Sequence, residues 1–139
     1  MDNHTQEQRH YNMSRIKYKD TKPEELVRKY LFSHGFRFRK NDKRYPGHPD
    51  IVLPKYRTII FVNGCFWHMH ECKNFVLPAS NVEYWVTKLQ HNKLRDNINI
   101  QKLRSAGWKV IIIWECELKS KEDRELKMQE VIHEIESGL

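Results

Sequence analysis

The chain has 139 residues and a mass of 17.0 kDa, the size of one ordinary domain. Hydrophobic residues make up 39% and aromatics 12%, which excludes a chain disordered throughout, and no apolar run approaches the ~20 residues of a membrane helix. Lys plus Arg number 25 against 18 for Asp plus Glu, a net charge of +7 that points to an acidic partner, most often nucleic acid.

Residues 1–20 are polar, with scattered Tyr11, Met13, Ile16 and Tyr18, and read as an arm or a loosely docked helix ahead of a single domain over 21–139. Met1 to His10 holds no apolar signal-peptide segment, so retention in the cytoplasm is expected. Thr21-Lys22-Pro23-Glu24 has the form of a capping box with Pro in the first turn, and Leu26, Val27, Tyr30 and Leu31 continue it as a helix that Gly35 stops. Phe36 and Phe38, followed by charged residues, alternate as an exposed strand does. Tyr45-Pro46-Gly47-His48-Pro49 is a stiffened turn, and Asp50 to Leu53 is a short strand. Pro54 to Arg57 connects it to Thr58-Ile59-Ile60-Phe61-Val62, whose β-branched apolar run predicts a central strand buried on both faces. Ser80-Asn81-Val82-Glu83 is a second capping box, opening a helical region to Ala106, with Leu89, Ile98, Ile100 and Leu103 as apolar positions. Val110 to Ile113 is another buried strand, and the tail from Leu118 is a helix with Leu126, Val131, Ile132 and Ile135 inward. The order α-β-β-β-α-β-α predicts an α/β fold, a mixed sheet flanked by helices with a helical crossover before the last strand.

Two constellations carry chemistry. Three cysteines is an odd number, which argues against a closed disulfide framework. Cys65, His70 and Cys72, with Cys116 far along the chain, supply thiolates and an imidazole, the ligands of a closed structural zinc site. Cys65 and Cys116 each follow the end of an apolar strand, so the site closes if those strands are neighbours. His68, beside this loop, is either a substitute ligand or a catalytic group. Asp50, at the mouth of a strand, is placed to hold Mg²⁺. Glu24 either caps its own helix or adds a second carboxylate, and the two roles are compatible.

The run Gly64-Cys65-Phe66-Trp67-His68, with His70 and Cys72, resembles the very-short-patch repair (Vsr) DNA mismatch endonucleases. The likeness continues through Asn12-Met13, Arg15-Ile16, Asp20-Thr21, Glu24, Pro46-Gly47-His48-Pro49-Asp50, Glu83-x-Trp85-x-x-Lys88, Asn92-x-x-Arg95-Asp96, Gly107-Trp108 and Trp114-Glu115-Cys116. It implies a restriction-endonuclease-like fold with a structural zinc site. The implied activity is Mg²⁺-dependent nicking of one strand 5′ to the T of a T:G mismatch, a lesion left by 5-methylcytosine deamination. By this resemblance Asp50 and the main-chain carbonyl of Val62 bind Mg²⁺, and His68 is the general base. Glu24 orients metal-bound water, and Asp96 supports the site. Cys65, His70, Cys72 and Cys116 hold Zn²⁺. Asn63 stands where a relative has His; it can hydrogen-bond but cannot shuttle a proton, which bears on rate rather than on reaction type.

The resemblance further implies that Phe66 and Trp67, assisted by Trp85, wedge into the duplex from the major groove, and Met13 from the minor groove. Lys88 and Asn92, four apart on one helical face, look like DNA contacts, and Arg15 joins Arg37, Arg39, Lys40, Lys43 and Arg44 in a positive run for phosphates. The implied partners are mismatched double-stranded DNA, a functionally linked cytosine-5 methyltransferase, and the polymerase and ligase that complete repair. A monomer near the nucleoid suffices for one nick. Two rivals are a non-catalytic, zinc-tied DNA-binding module and a nuclease indifferent to mismatches. The charge is unevenly placed: Lys119 to Leu139 has four basic and six acidic residues, a net of −2, leaving +9 on the first 118.

Overall fold

A computed structural model of the chain describes residues 21–72 and 75–137. The expected arm over 1–20, with Met13 and Arg15, lies outside the described residues.

Helix α1 spans Lys22–Ser33, and the Thr21 hydroxyl accepts from the Glu24 N–H at its start. It stops before Gly35, whose φ of +89° suits glycine. Its buried stripe is Glu24, Val27, Arg28 and Leu31, the spacing of one helical face but with two charged members. The exposed strand expected after Phe36 shrinks to β1, Arg39–Lys40. Strand β2 is Ile51–Leu53, buried throughout. A single 3₁₀ turn, Pro54–Tyr56, with Arg57 in the left-handed region, reverses the chain into β3, Thr58–Asn63. Helix α2 runs unbroken over Val82–Ser105, about 36 Å at 1.5 Å per residue. It delivers the chain to β4, Lys109–Trp114. A 3₁₀ turn, Glu115–Leu118, leads to α3, Lys121–Glu136, whose N-cap Ser120 accepts from the Asp123 N–H at 3.0 Å.

The sheet order is β1-β2-β3-β4. β1–β2 and β2–β3 are antiparallel, and β3–β4 is parallel, with Val62 opposite Ile113 and Asn63 opposite Trp114. A parallel neighbour demands a long crossover, which α2 supplies. Alternate residues of the strands feed two apolar layers. Ile51, Leu53, Ile60, Val62, Ile111 and Ile113 pack with Val27 and Leu31 of α1 and with Met128, Val131 and Ile135 of α3. On the opposite face Val52, Ile59 and Val110 pack with Leu103 of α2. The run of apolar residues in β2, β3 and β4 is therefore a consequence of helices on both faces.

Two local expectations are corrected. The second capping box is expected to start at Ser80, but the helix begins one residue later, at Val82, with Asn81 at the N-cap in a left-handed conformation and no side-chain capping bond. A capping side chain needs an extended Ncap backbone to reach the N–H groups of the first turn, and the left-handed conformation of Asn81 does not provide it. Leu126 is 64% exposed, because the inward stripe of α3 is set by Met128, Val131 and Ile135.

Candidate active site and metal centre

The carboxyl ends of β3 and β4 gather the candidate site. The β2–β3 register sets Asp50, one residue before Ile51, beside the far end of β3, where its Oδ2 accepts from the Val62 N–H at 2.7 Å. The stiff turn before it is tightly seated. Gly47 has φ +82°, and a Cβ there would come within 3.2 Å of the Phe61 ring. From α1, the buried Glu24 carboxylate reaches the same place and shares a hydrogen bond with Asp50. Burial and the Glu24 charge push Asp50 up to about 7, against the opposing pull of the Val62 N–H and Arg28. The Glu24 side chain thus lies beside Asp50, while its backbone N–H donates to the Thr21 cap. Two carboxylates converging in a shielded spot are a donor set for a hard divalent cation.

β3 continues through Asn63, a buried polar residue 8% exposed, into the loop that holds the other groups. His68 Nδ1 bonds to Asp96 Oδ2 from α2. An ionised carboxylate can only accept, so Nδ1 is the donor in this pair, and in the neutral ring that tautomer leaves Nε2 as the nitrogen able to take a proton. Trp114, at the end of β4, meets the His68 ring edge-on, with centroids 6.2 Å apart.

The metal-ligand expectation is met in space. Ligand atoms of Cys65, His70, Cys72 and Cys116 all lie within 4.8 Å of one another. His70 Nδ1 is 3.5 Å from both the Cys65 and the Cys116 sulfur. A tetrahedron with zinc-like bonds of ~2.3 Å to sulfur and ~2.0 Å to nitrogen has an S···N edge of about 3.5 Å, so these separations fit a shared ion. Without a metal, burial pushes the Cys65 thiol up to about 12 and also raises Cys116, outweighing the hydrogen bonds between the two residues that favour the thiolates. The parallel β3–β4 pair is what joins Cys65 to Cys116, since the two strands end together. The neighbours brace the ligands: His70 stacks on Trp114 with centroids 3.9 Å apart, and the Cys65 N–H donates to Glu115 Oε1 at 3.0 Å.

The aromatic residues cluster above this loop. Phe66 and Trp67 are half-buried, with ring centroids 5.1 Å apart. Trp85 is only 7% exposed and lies 5.7 Å from Phe66 and 6.2 Å from Trp67, so in this conformation it supports the pair. Asn92 Nδ2 donates to the Trp67 carbonyl at 3.5 Å, and Arg95 donates to Asn92 Oδ1. Lys88 lies one turn before Asn92, its Nζ 5.9 Å from the Tyr84 ring. Two participants escaped the sequence reading, and a third, Glu115, was quoted there without a role. Phe75 joins the cluster 6.3 Å from Phe66, and its only signal was aromatic character. Glu115 braces Cys65. Arg28 lies on the buried stripe of α1, and its signal was the four-residue spacing from Glu24.

The family model described as DNA mismatch endonuclease Vsr matches residues 1–74. A type II nicking enzyme of Neisseria meningitidis, V.NmeAIP, is 47% identical over 135 residues, covering 97% of this chain and 96% of that protein. The type II nicking enzyme V.XorIIP of Xanthomonas oryzae is 41% identical, covering 91% and 93%. The DNA mismatch endonuclease Vsr of Escherichia coli is also 41% identical, covering 87% of this chain and 78% of that protein. With the mixed sheet, the paired carboxylates and the Cys/His cluster in place, the chain belongs to the Vsr family of DNA mismatch endonucleases, whose fold is restriction-endonuclease-like.

Proposed function

We propose that this protein is a Mg²⁺-dependent endonuclease that nicks one DNA strand 5′ to the T of a T:G mismatch and so starts very-short-patch repair. The observation that carries the reading is the pairing of Asp50 and Glu24 at the end of β3, with His68, in the loop that follows, bonded to Asp96 of α2. Asp50, the Val62 carbonyl and, through water, Glu24 would hold Mg²⁺, which when bound supplies charge stabilisation for the phosphate under attack. His68 Nε2 takes the proton of the attacking water, while Asp96 keeps the ring in the right tautomer and stabilises it once charged. Asn63 offers a hydrogen bond beside this chemistry and no proton.

The four ligands Cys65, His70, Cys72 and Cys116 would hold a structural Zn²⁺ that ties the loop to β4. That tie sets Phe66 and Trp67 at the rim, where, with Trp85 behind them, they would enter the duplex beside the mismatch. Lys88, Asn92 and the arm residues Met13 and Arg15 complete the proposed DNA contacts. The partners are mismatched double-stranded DNA, a linked cytosine-5 methyltransferase and the polymerase and ligase of repair, and the working unit is a cytoplasmic monomer acting at the nucleoid. Among the described residues no helix is long and apolar enough to cross a membrane.

The test compares nicking of otherwise identical T:G and C:G duplexes in Mg²⁺ and in EDTA, with Asp50→Ala as control. Mismatch-dependent, Mg²⁺-dependent nicking that the variant loses supports the proposal. Binding without nicking in any divalent metal would instead indicate a DNA-binding module, and equal cutting of both duplexes a nuclease indifferent to mismatches.

A further inference from the structure

Helix α1 buries charge where its apolar stripe should run. Glu24 is 2% exposed and Arg28, one turn later, 7%. Arg28 Nη1 lies 3.8 Å from Glu24 Oε2, an ion-pair distance rather than a hydrogen bond, and its charge also reaches Asp50. Placing a guanidinium here is costly unless it compensates something, because a buried ion loses its hydration. It faces Glu24 directly, and Glu24 in turn shares a hydrogen bond with Asp50, the residue just before β2, so two acidic groups from different elements meet beside this one guanidinium.

We propose that Arg28 is a positioning residue that holds Glu24 and Asp50 side by side before a divalent cation arrives, so that the cation site is already built in the metal-free protein. Arg suits this task because its guanidinium stays charged even when buried. Sitting four residues from Glu24 on the same helix, it is fixed relative to that carboxylate whatever the sheet does. The cation brings its own positive charge, so Arg28 matters most when the cation is absent. This inference rests on the divalent-cation reading of Asp50 and Glu24.

The test measures Tm of the full chain, in EDTA and in saturating Mg²⁺, for wild type, Arg28→Met and the double variant Glu24→Gln/Arg28→Met. Arg28→Met should lower Tm in EDTA by roughly 10 °C, since it strands buried carboxylates without their counter-charge. That deficit should shrink by more than half in Mg²⁺, and adding Glu24→Gln should recover most of it in EDTA. An equal deficit in both conditions, or no recovery on adding Glu24→Gln, would overturn the proposal and reduce Arg28 to packing. If Arg28→Met does not fold in EDTA, folding of the double variant there supports the proposal, and its failure refutes it. A wild-type Tm that does not move with Mg²⁺ would count against the divalent-cation reading itself, while recovery of Tm by Glu24→Gln in EDTA still decides the role of Arg28.

Discussion

Asp50→Asn should stabilise the metal-free protein while abolishing its activity. Asp50 sits with Glu24 in a shielded site and is pushed up to about 7 from an ordinary 3.8. A folded-state value above the unfolded one means that folding favours the protonated acid. The associated stability is fully present below about 4 and is lost as pH rises through about 7. Three units at 1.36 kcal/mol each set a ceiling of about 4 kcal/mol on what the ionised carboxylate costs the metal-free fold. Solvent screening at a half-buried group brings a realistic figure to about 1–3 kcal/mol. Asparagine removes that cost and keeps the local bonds: its oxygen still accepts from the Val62 N–H, and its amide donates to Glu24 without needing a shared proton. In EDTA near pH 8, about a unit above the midpoint, the variant should melt about 3–10 °C above wild type. The gap should close as pH falls through about 7 toward 4, where wild-type Asp50 is itself protonated. Thermal unfolding followed by circular dichroism across that range measures it. A variant less stable than wild type at the alkaline end, or a gap independent of pH, would refute the electrostatic reasoning.

Cys116→Ser should release the metal of the Cys/His cluster and lower stability by several kcal/mol, read as loss of about one zinc per chain by elemental analysis together with a fall in Tm. Full stability at zero metal would argue against a structural ion. His68→Ala should reduce nicking about 10²–10⁴-fold at unchanged Tm, and Asp96→Asn should cost less than that, because it disturbs only the orientation of the base. Single-turnover rates on a T:G duplex separate the two, and an Asp96 variant slower than His68→Ala would contradict the assigned roles. Gly47→Ala should destabilise by about 1–2 kcal/mol, since L-residues resist the left-handed backbone and the new methyl meets the Phe61 ring. Urea denaturation measures this, and a neutral result would mean the turn ahead of Asp50 is looser than it looks.

The sequence by itself determined the element order, the buried strands and the ligand types. Strings such as Thr58–Val62 and Val110–Ile113 have only one economical use, as strands covered on both faces, and Cys with His is a metal set wherever the residues meet. The apolar stripe of α1 was legible too, read as Leu26, Val27, Tyr30 and Leu31; Val27 and Leu31 are buried and Tyr30 packs against the core, but the structure adds the charged Glu24 and Arg28 to the buried face. No periodicity argument selects charged residues for an interior, because their burial makes sense only against groups from another element. The same reason hid the shift of the α2 start from Ser80 to Asn81, and the outward turn of Leu126, where α1 and the sheet determine which side of α3 is covered. Only tertiary structure decided that β3 and β4 lie parallel and end together. That single pairing brings Cys116 to Cys65 across more than a third of the chain and sets Trp114 against both histidines, while the β2–β3 register carries Asp50 to Val62. Residue types and local patterns are written along the chain, but the field that each charged group feels is made by neighbours far away in it, and only folding brings them together.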